Sequence, residues 1–494
     1  MRAKLFKISL FCLVFLFTFV LRAHNYDRTP TPNHLDEMLY AWSGLYLIEE
    51  GTPVSWSTLD YPQRAEVFVG ERSYGGGLPK ASVTLYRPWL DEPPLFSLMV
   101  GWFARHFGAD RTQFVPSSYI RYPIIFISTA VSLLIFFLTK KISGYWAGLL
   151  ALLIYGTTPT LVFSARTAMP ENVIALFYLV VVVLMLRYHQ KPSQKYLYFS
   201  AVLAGFAGLC KPTGYFILPL AIFLMVLKDR EKKDWLTKSL RRAFVSLLVI
   251  LVFVGVYLAY GAHYDWEIFK RIVLIQGFRP AGFGALAWFF TTPSYDTIVL
   301  RDSVYVFCLL SAAYFTFGNS LRGPKKIVLY AFVYWVMVVM FSSGENDLLA
   351  WYRYPTMPFL AILGAWGIQQ LLKKADFFST FLAGGLLLGN RMLIVTAVRE
   401  NIQPVMFRNL FITIMTPSLL SEVFPHKFFK WLSKVVIGVV FLVGVYFSSV
   451  YVYSAYEIEC EGLRCPIVPQ TKLGTLRIPY LWRLFVRDEP WNYK

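Results

Sequence analysis

Apolar runs, most of them near the length of a bilayer span, recur from Leu5 to Tyr453, separated by short clusters of lysine and arginine. A hydrocarbon core is crossed by about 20 helical residues, and within lipid a helix satisfies its own backbone. The pattern predicts an all-α polytopic bundle of about 11–13 transmembrane helices. Charged residues make up only 16% of the chain, against about 25% in soluble proteins.

The net charge of +19 does not indicate a nucleic-acid binder, because that needs the cations gathered on one face. Here they fall between spans: Arg2, Lys4 and Lys7, then Lys140 and Lys141, then Arg187, Lys191 and Lys195, then the run from Lys228 to Arg242. Placing these clusters inside makes the topology alternate consistently. The N-terminal run lacks a small-x-small cleavage site before His24 and is expected to stay as the first helix.

This topology makes residues 1–453 one transmembrane bundle, with 23–118 a long outer first loop and 454–494 a short outer tail. Within the loop, 94–107 is too short to span and predicts an interfacial helix anchored by Trp102 and Phe103. A second interfacial helix is expected over 35–50, with Leu35, Leu39, Trp42 and Tyr46 on one face and Gly51 as its stop. Cys12, Cys210 and Cys308 read as packing residues. Cys460 and Cys465 would close a small disulfide loop if the tail faces an oxidising compartment. Phosphate-loop, dinucleotide and His-Glu-x-x-His patterns are missing, Gly75-Gly76-Gly77 reads as a turn, and no internal repeat is detectable.

The candidate chemistry collects at outer span ends. Asp36 and Glu37 stand in His34-Leu35-Asp36-Glu37-Met38-Leu39-Tyr40, and Asp91 and Glu92 precede Pro93-Pro94-Leu95. Beyond them come Arg166 to Glu171, then Lys211-Pro212-Thr213-Gly214, then Arg353-Tyr354-Pro355. Glu171, after Pro170, fits the first turn of a helix as well as it fits a site. Arg353 and Lys211 could serve lipid headgroups, although charge between apolar spans usually marks a site.

These motifs, in this order over residues 1–370, resemble the C-type polyprenyl-phosphate-dependent glycosyltransferases, most closely the bacterial protein-mannosyltransferase and aminoarabinose-transferase branch. The resemblance implies an integral-membrane inverting enzyme that moves a sugar from a polyprenyl-phosphate donor to a protein, lipid or glycan acceptor. It puts the enzyme in the cell membrane with its active site facing outward among membrane lipids. Asp36 maps onto the family's proposed base, with Glu37 beside it, and Glu171 maps onto the second-loop acid. Lys211 and Arg353 map onto the cations for the lipid phosphate, with Arg166 a further candidate. Asp91 and Glu92 complete the substrate-binding set, where the aminoarabinose branch carries an acid followed by lysine. No cofactor can be named from the sequence, and a divalent metal stays an open expectation.

The chemistry is coherent in its own terms. Transfer to a hydroxyl needs a carboxylate to take the proton and positive charge on the departing phosphate. One displacement inverts the anomeric carbon and needs only one base. The alternative reading is a transporter or flippase of lipid-linked sugars, which predicts its charges at mid-membrane depth. A non-catalytic assembly subunit is a further one.

Overall fold

The computed structural model describes residues 2–30, 34–73, 80–278, 282–290, 302–318, 320–342, 350–374, 376–390 and 403–454. The expected disulfide between Cys460 and Cys465, the turn at Gly75–Gly77 and the outer tail lie outside the described residues. Among the described residues, seven helices are long and apolar enough to cross a membrane. They include α1 (Arg2–Ala23), α4 (Ser117–Ser143), α7 (Pro170–Gln190) and α10 (Trp235–Tyr264). Two shorter apolar helices, α5 (Tyr145–Thr157) and one over Ser303–Phe317, pack among them. The protein is therefore an all-α, multi-pass membrane protein.

Exposure separates two kinds of span. α4 and α7 bury more than half of their apolar window, whereas α1 and α10 bury 11% and 17%. Leu13 and Leu16 of α1, and Phe244, Leu251 and Val252 of α10, lie exposed. Apolar surface of this extent is what lipid covers.

The apolar run over 144–163 is not one continuous helix. Thr158 takes an extended conformation and α6 (Pro159–Ser164) starts anew, because Pro159 has no N–H to continue the ladder. A second break separates α8 (Gln194–Cys210) from α9 (Ile217–Asp229), across a 3-10 turn over Pro212–Phe216.

The long first loop, among its described residues, is a folded unit. Its α2 runs Leu35–Glu50 and ends on Gly51 in the left-handed conformation, φ 68°, as the sequence predicts. Its α3 runs Pro94–His106 with proline in the first turn. Between them, β1 (Glu66–Ser73) and β2 (Lys80–Tyr86) form an antiparallel hairpin with Glu66 opposite Tyr86. Nothing in the sequence reading anticipated the hairpin, although Val83 and Leu85 alternate with Thr84 and only the first two are buried.

α2 also departs from the one-faced helix expected of it. Met38, Ala41 and Leu45 are as fully buried as Trp42, because α3 crosses it at contact distance. Gly44 and Gly101 make the crossing: a Cβ on Gly44 would lie 1.9 Å from the Ser97 carbonyl oxygen, and one on Gly101 2.4 Å from the Gly44 carbonyl carbon. Those obstacles are backbone and cannot rotate away. Trp42 then donates its indole N–H to the Gln113 carbonyl at 2.8 Å, joining α2 to the chain that enters α4.

Candidate active site

Five places in the fold hold the residues singled out from the sequence. The first is a buried knot around Glu37. Arg121, in the first turns of α4, grips both carboxylate oxygens, Nε at 2.8 and 3.1 Å and Nη2 at 2.5 Å. Both side chains are fully buried. The Ala168 amide donates a third contact at 2.5 Å, and the Arg121 Nη1 reaches the carbonyls of Tyr26 and Pro30 at 3.0 and 2.8 Å. Removing one member of such a buried pair costs about 3–5 kcal/mol, since the other is left charged and unmatched. Glu37, read from the sequence as a catalytic carboxylate, joins α2, α4 and the loop before α7.

Arg166, a further candidate for the lipid phosphate, forms the second cluster. Its guanidinium is fully buried and donates to the carbonyls of Leu21, Arg22, His24 and Thr29 at 2.6, 3.1, 2.7 and 3.1 Å. The Leu21, Arg22 and His24 carbonyls lie at the end of α1, where carbonyls lack an intrahelical partner and a cation is favoured, and the Thr29 carbonyl lies in the chain beyond it. Arg166 thus caps α1. Nearby, Asn172 donates to the carbonyls of Ser164 and Thr167 at 3.0 and 2.8 Å and so fixes the start of α7.

Lys211 draws two acids together at the third place. Its ammonium, buried at the end of α8, lies 2.6 Å from the Glu171 carboxylate and 3.6 Å from Glu92. The ring of Tyr352 covers it, 4.2 Å from centroid to nitrogen. Glu171 is 1% exposed, and its second oxygen has no hydrogen-bond partner among the described residues. Helix α7 supplies favourable dipole at this first-turn position, so the capping and site readings meet in one residue. Asp91 faces away from this group: it accepts from Ser57 and Tyr61, both at 2.6 Å, and its carbonyl accepts from Gln276 at 2.6 Å. Asp91 ties together the outer loop, and Glu92 next to it points at Lys211.

Asp36 occupies the fourth place, in the first turn of α2. Its carboxylate is 22% exposed and lies 3.3 Å from His34 Nδ1. Burial pushes the Asp36 carboxyl above the ordinary carboxylate range; His34 and Lys211 oppose this, and Glu37 and Glu171 add to it. Asp36 therefore shares one electrostatic neighbourhood with Lys211 and Glu171, although they belong to three different elements. A carboxylate raised in this way is a better proton acceptor near neutral pH than an ordinary one.

Arg353, in a 3-10 turn over Ala350–Thr356, is fully buried with its guanidinium 5.7 Å from the Tyr305 ring centre. Tyr354 beside it reaches Thr167 at 3.4 Å, which links this turn to the loop before Glu171. Among the described residues, no group of three or more His, Cys, Asp or Glu side chains is placed to hold a metal ion. Arg121 and Tyr352 are the members that the sequence reading missed; a cation so soon inside a span was the available signal for Arg121.

Residues 91–258 match the family model described as dolichyl-phosphate-mannose-protein mannosyltransferase. The matched segment contains Glu92, Glu171 and Lys211, while Asp36 and Arg353 lie outside it. No curated protein matches the chain. Among solved structures, ArnT from Cupriavidus metallidurans in the apo state is similar at 14% identity and TM-score 0.49, over 92% of this chain and 78% of that one. The same protein bound to undecaprenyl phosphate is similar at 14% identity and TM-score 0.48, over 90% and 77%. The archaeal oligosaccharyltransferase AglB from Archaeoglobus fulgidus, in complex with an inhibitory peptide and a dolichol-phosphate, follows at 10% identity and TM-score 0.49, over 91% and 56%. The family match over residues 91–258 bears out the resemblance read from the ordered motifs, and with it the reading of this membrane protein as a glycosyltransferase.

Proposed function

We propose that this protein is an inverting glycosyltransferase that takes a sugar from a polyprenyl-phosphate donor and places it on an acceptor hydroxyl at the outer membrane face. The observation that carries the reading is the convergence of Asp36, Glu171 and Lys211 from the starts of α2 and α7 and the end of α8. These are span-end positions, where a transporter reading would want charges at mid-span.

Asp36 is the base, being the site carboxylate with solvent-facing surface and a proton affinity raised by burial. It takes the acceptor hydroxyl's proton as that oxygen bonds the anomeric carbon and the phosphate leaves with the electron pair of the broken bond. Glu171 and Glu92 hold Lys211, whose charge in turn favours the ionised form of Asp36 against the effect of burial. Arg353, fully buried in the turn that Tyr354 links to the loop before Glu171, is assigned with Lys211 to the donor phosphate. Lipid-exposed α10 and the other outer faces of the bundle offer apolar surface for the prenyl chain.

Mass spectrometry of envelope glycans and glycoproteins, from cells with and without the chain, tests the reading and identifies sugar and acceptor together. A product that disappears on deletion and returns with the wild type but not with Asp36→Asn supports it. Accumulation of unflipped lipid-linked sugar on the inner face would favour a flippase.

A further inference from the structure

A base that accepts one proton per turnover has to return it. Resting on the role given to Asp36 above, we propose that His34 is its relay and positioning residue, receiving the proton from the Asp36 carboxylate and passing it to the outer solution.

The geometry of one nitrogen carries this. His34 Nδ1 lies 3.2 Å from the Asp36 backbone nitrogen and 3.3 Å from Asp36 Oδ2. When bare, it accepts from the amide N–H; when protonated, it donates to the carboxylate. Both protonation states find a partner without movement of the ring, so the nitrogen is poised to gain and lose a proton in place. The residue is also held. It is the N-cap of α2, with its carbonyl accepting from Glu37 and Met38 at 2.9 and 3.1 Å, and its ring meets Trp351 edge-on at 5.9 Å.

The surroundings give the proton a direction. The charged groups facing Asp36 are Glu37 on its own helix, Glu171 on α7 and Lys211 after α8. Glu37 is locked to Arg121, and Glu171 to Lys211, all of them buried. His34, by contrast, is 31% exposed, and an imidazole can take a proton at one ring nitrogen and release one from the other. The steps balance. The acceptor O–H proton moves to Asp36, then from Oδ2 to Nδ1, and the imidazolium releases Nε2–H to water. Solvent exchange restores the first tautomer.

Two substitutions separate relay from cap. His34→Asn keeps an N-capping side chain but cannot carry a proton; His34→Ala opens space that added imidazole can fill. Both are expressed in cells lacking the chain, and the product that deletion removes is quantified per unit of protein, at several external pH values and with or without imidazole. A relay predicts a loss of about tenfold or more in both variants, within the scale of assisted proton transfer. It also predicts a pH profile unlike the wild type's, and recovery of His34→Ala with rising imidazole. His34→Asn at wild-type level and profile would reduce His34 to a cap and overturn the proposal. So would a loss in which the profile stays in place and imidazole does nothing. If Asp36→Asn still makes the product, or deletion removes none, the role of Asp36 or the transfer itself is wrong, and the relay goes with it.

Discussion

The Glu37 carboxylate is clamped by the Arg121 guanidinium inside the protein, at distances down to 2.5 Å with neither side chain exposed. Its neighbour in sequence, Asp36, points the other way toward His34 and partly into solvent. Two adjacent acids on one helix are thus divided, one locked inside the fold and the other beside a partly exposed imidazole.

That division can be measured. Glu37→Gln strands the Arg121 charge, and a loss of about 3–5 kcal/mol is expected, read as a lower unfolding temperature and poor yield in detergent. Asp36→Asn should unfold no earlier than the wild type. Equal stability of the two variants would contradict the division.

Turnover should show the reverse order. Asp36→Asn keeps side-chain shape but cannot take a proton, so transfer should fall by roughly two to four orders of magnitude. The wild type should gain activity as pH rises through a midpoint above the ordinary carboxylate range, because burial raises the Asp36 pKa. The stability sign follows: a carboxyl with a raised folded-state pKa contributes stability that is full below its unfolded value and is lost as pH rises through the folded one. Asp36→Asn therefore relieves a cost at neutral pH. Normal turnover of this variant would remove Asp36 from the mechanism.

Lys211→Met takes away a charge that favours the ionised form of Asp36. The rising limb of the pH–activity profile should move to higher pH, with activity partly recovered in alkaline medium. An unmoved limb would show that Lys211 acts on something other than Asp36.

Arg353→Ala is expected to weaken use of a polyprenyl-phosphate sugar about tenfold or more, from a charge-assisted bond of about 1.5–3 kcal/mol. Arg322→Ala, an exposed cation elsewhere, serves as the control. Similar kinetics in both would make Arg353 a packing residue.

Gly44→Ala and Gly101→Ala should each destabilise the outer loop by about 1–3 kcal/mol or more, since the added methyl meets fixed backbone. Gly255→Ala, with nothing within 4 Å, should be neutral or stabilising by thermal melting.

The sequence exposed what depends on local pattern. The bounds of α2 were legible because Gly51 stops it, and the 94–106 helix because Pro94 opens a short apolar run. The gathering of Asp36, Glu171 and Lys211 was visible only as an ordered set of span-end charges. What stayed hidden depends on pairing at a distance. Glu37 and Arg121 are 84 positions apart, and Arg166 binds carbonyls that every residue carries. The hairpin was missed because its alternation is only a few residues long, and the full burial of α2 because the partner that covers its second side is met through glycine.

The crossing at Gly44 and Gly101 has a mechanical consequence. With no side chain between the two backbones, α2 and α3 have no room to slide or splay, so Asp36 at the head of one and Glu92 just ahead of the other travel as parts of a single plate. Whatever hinge admits the acceptor and lets the spent lipid leave has to flex beyond that plate, at the edge where it meets α7 and α8. The distance from Asp36 to Lys211, rather than that from Asp36 to Glu92, is then the one that should change over a catalytic cycle.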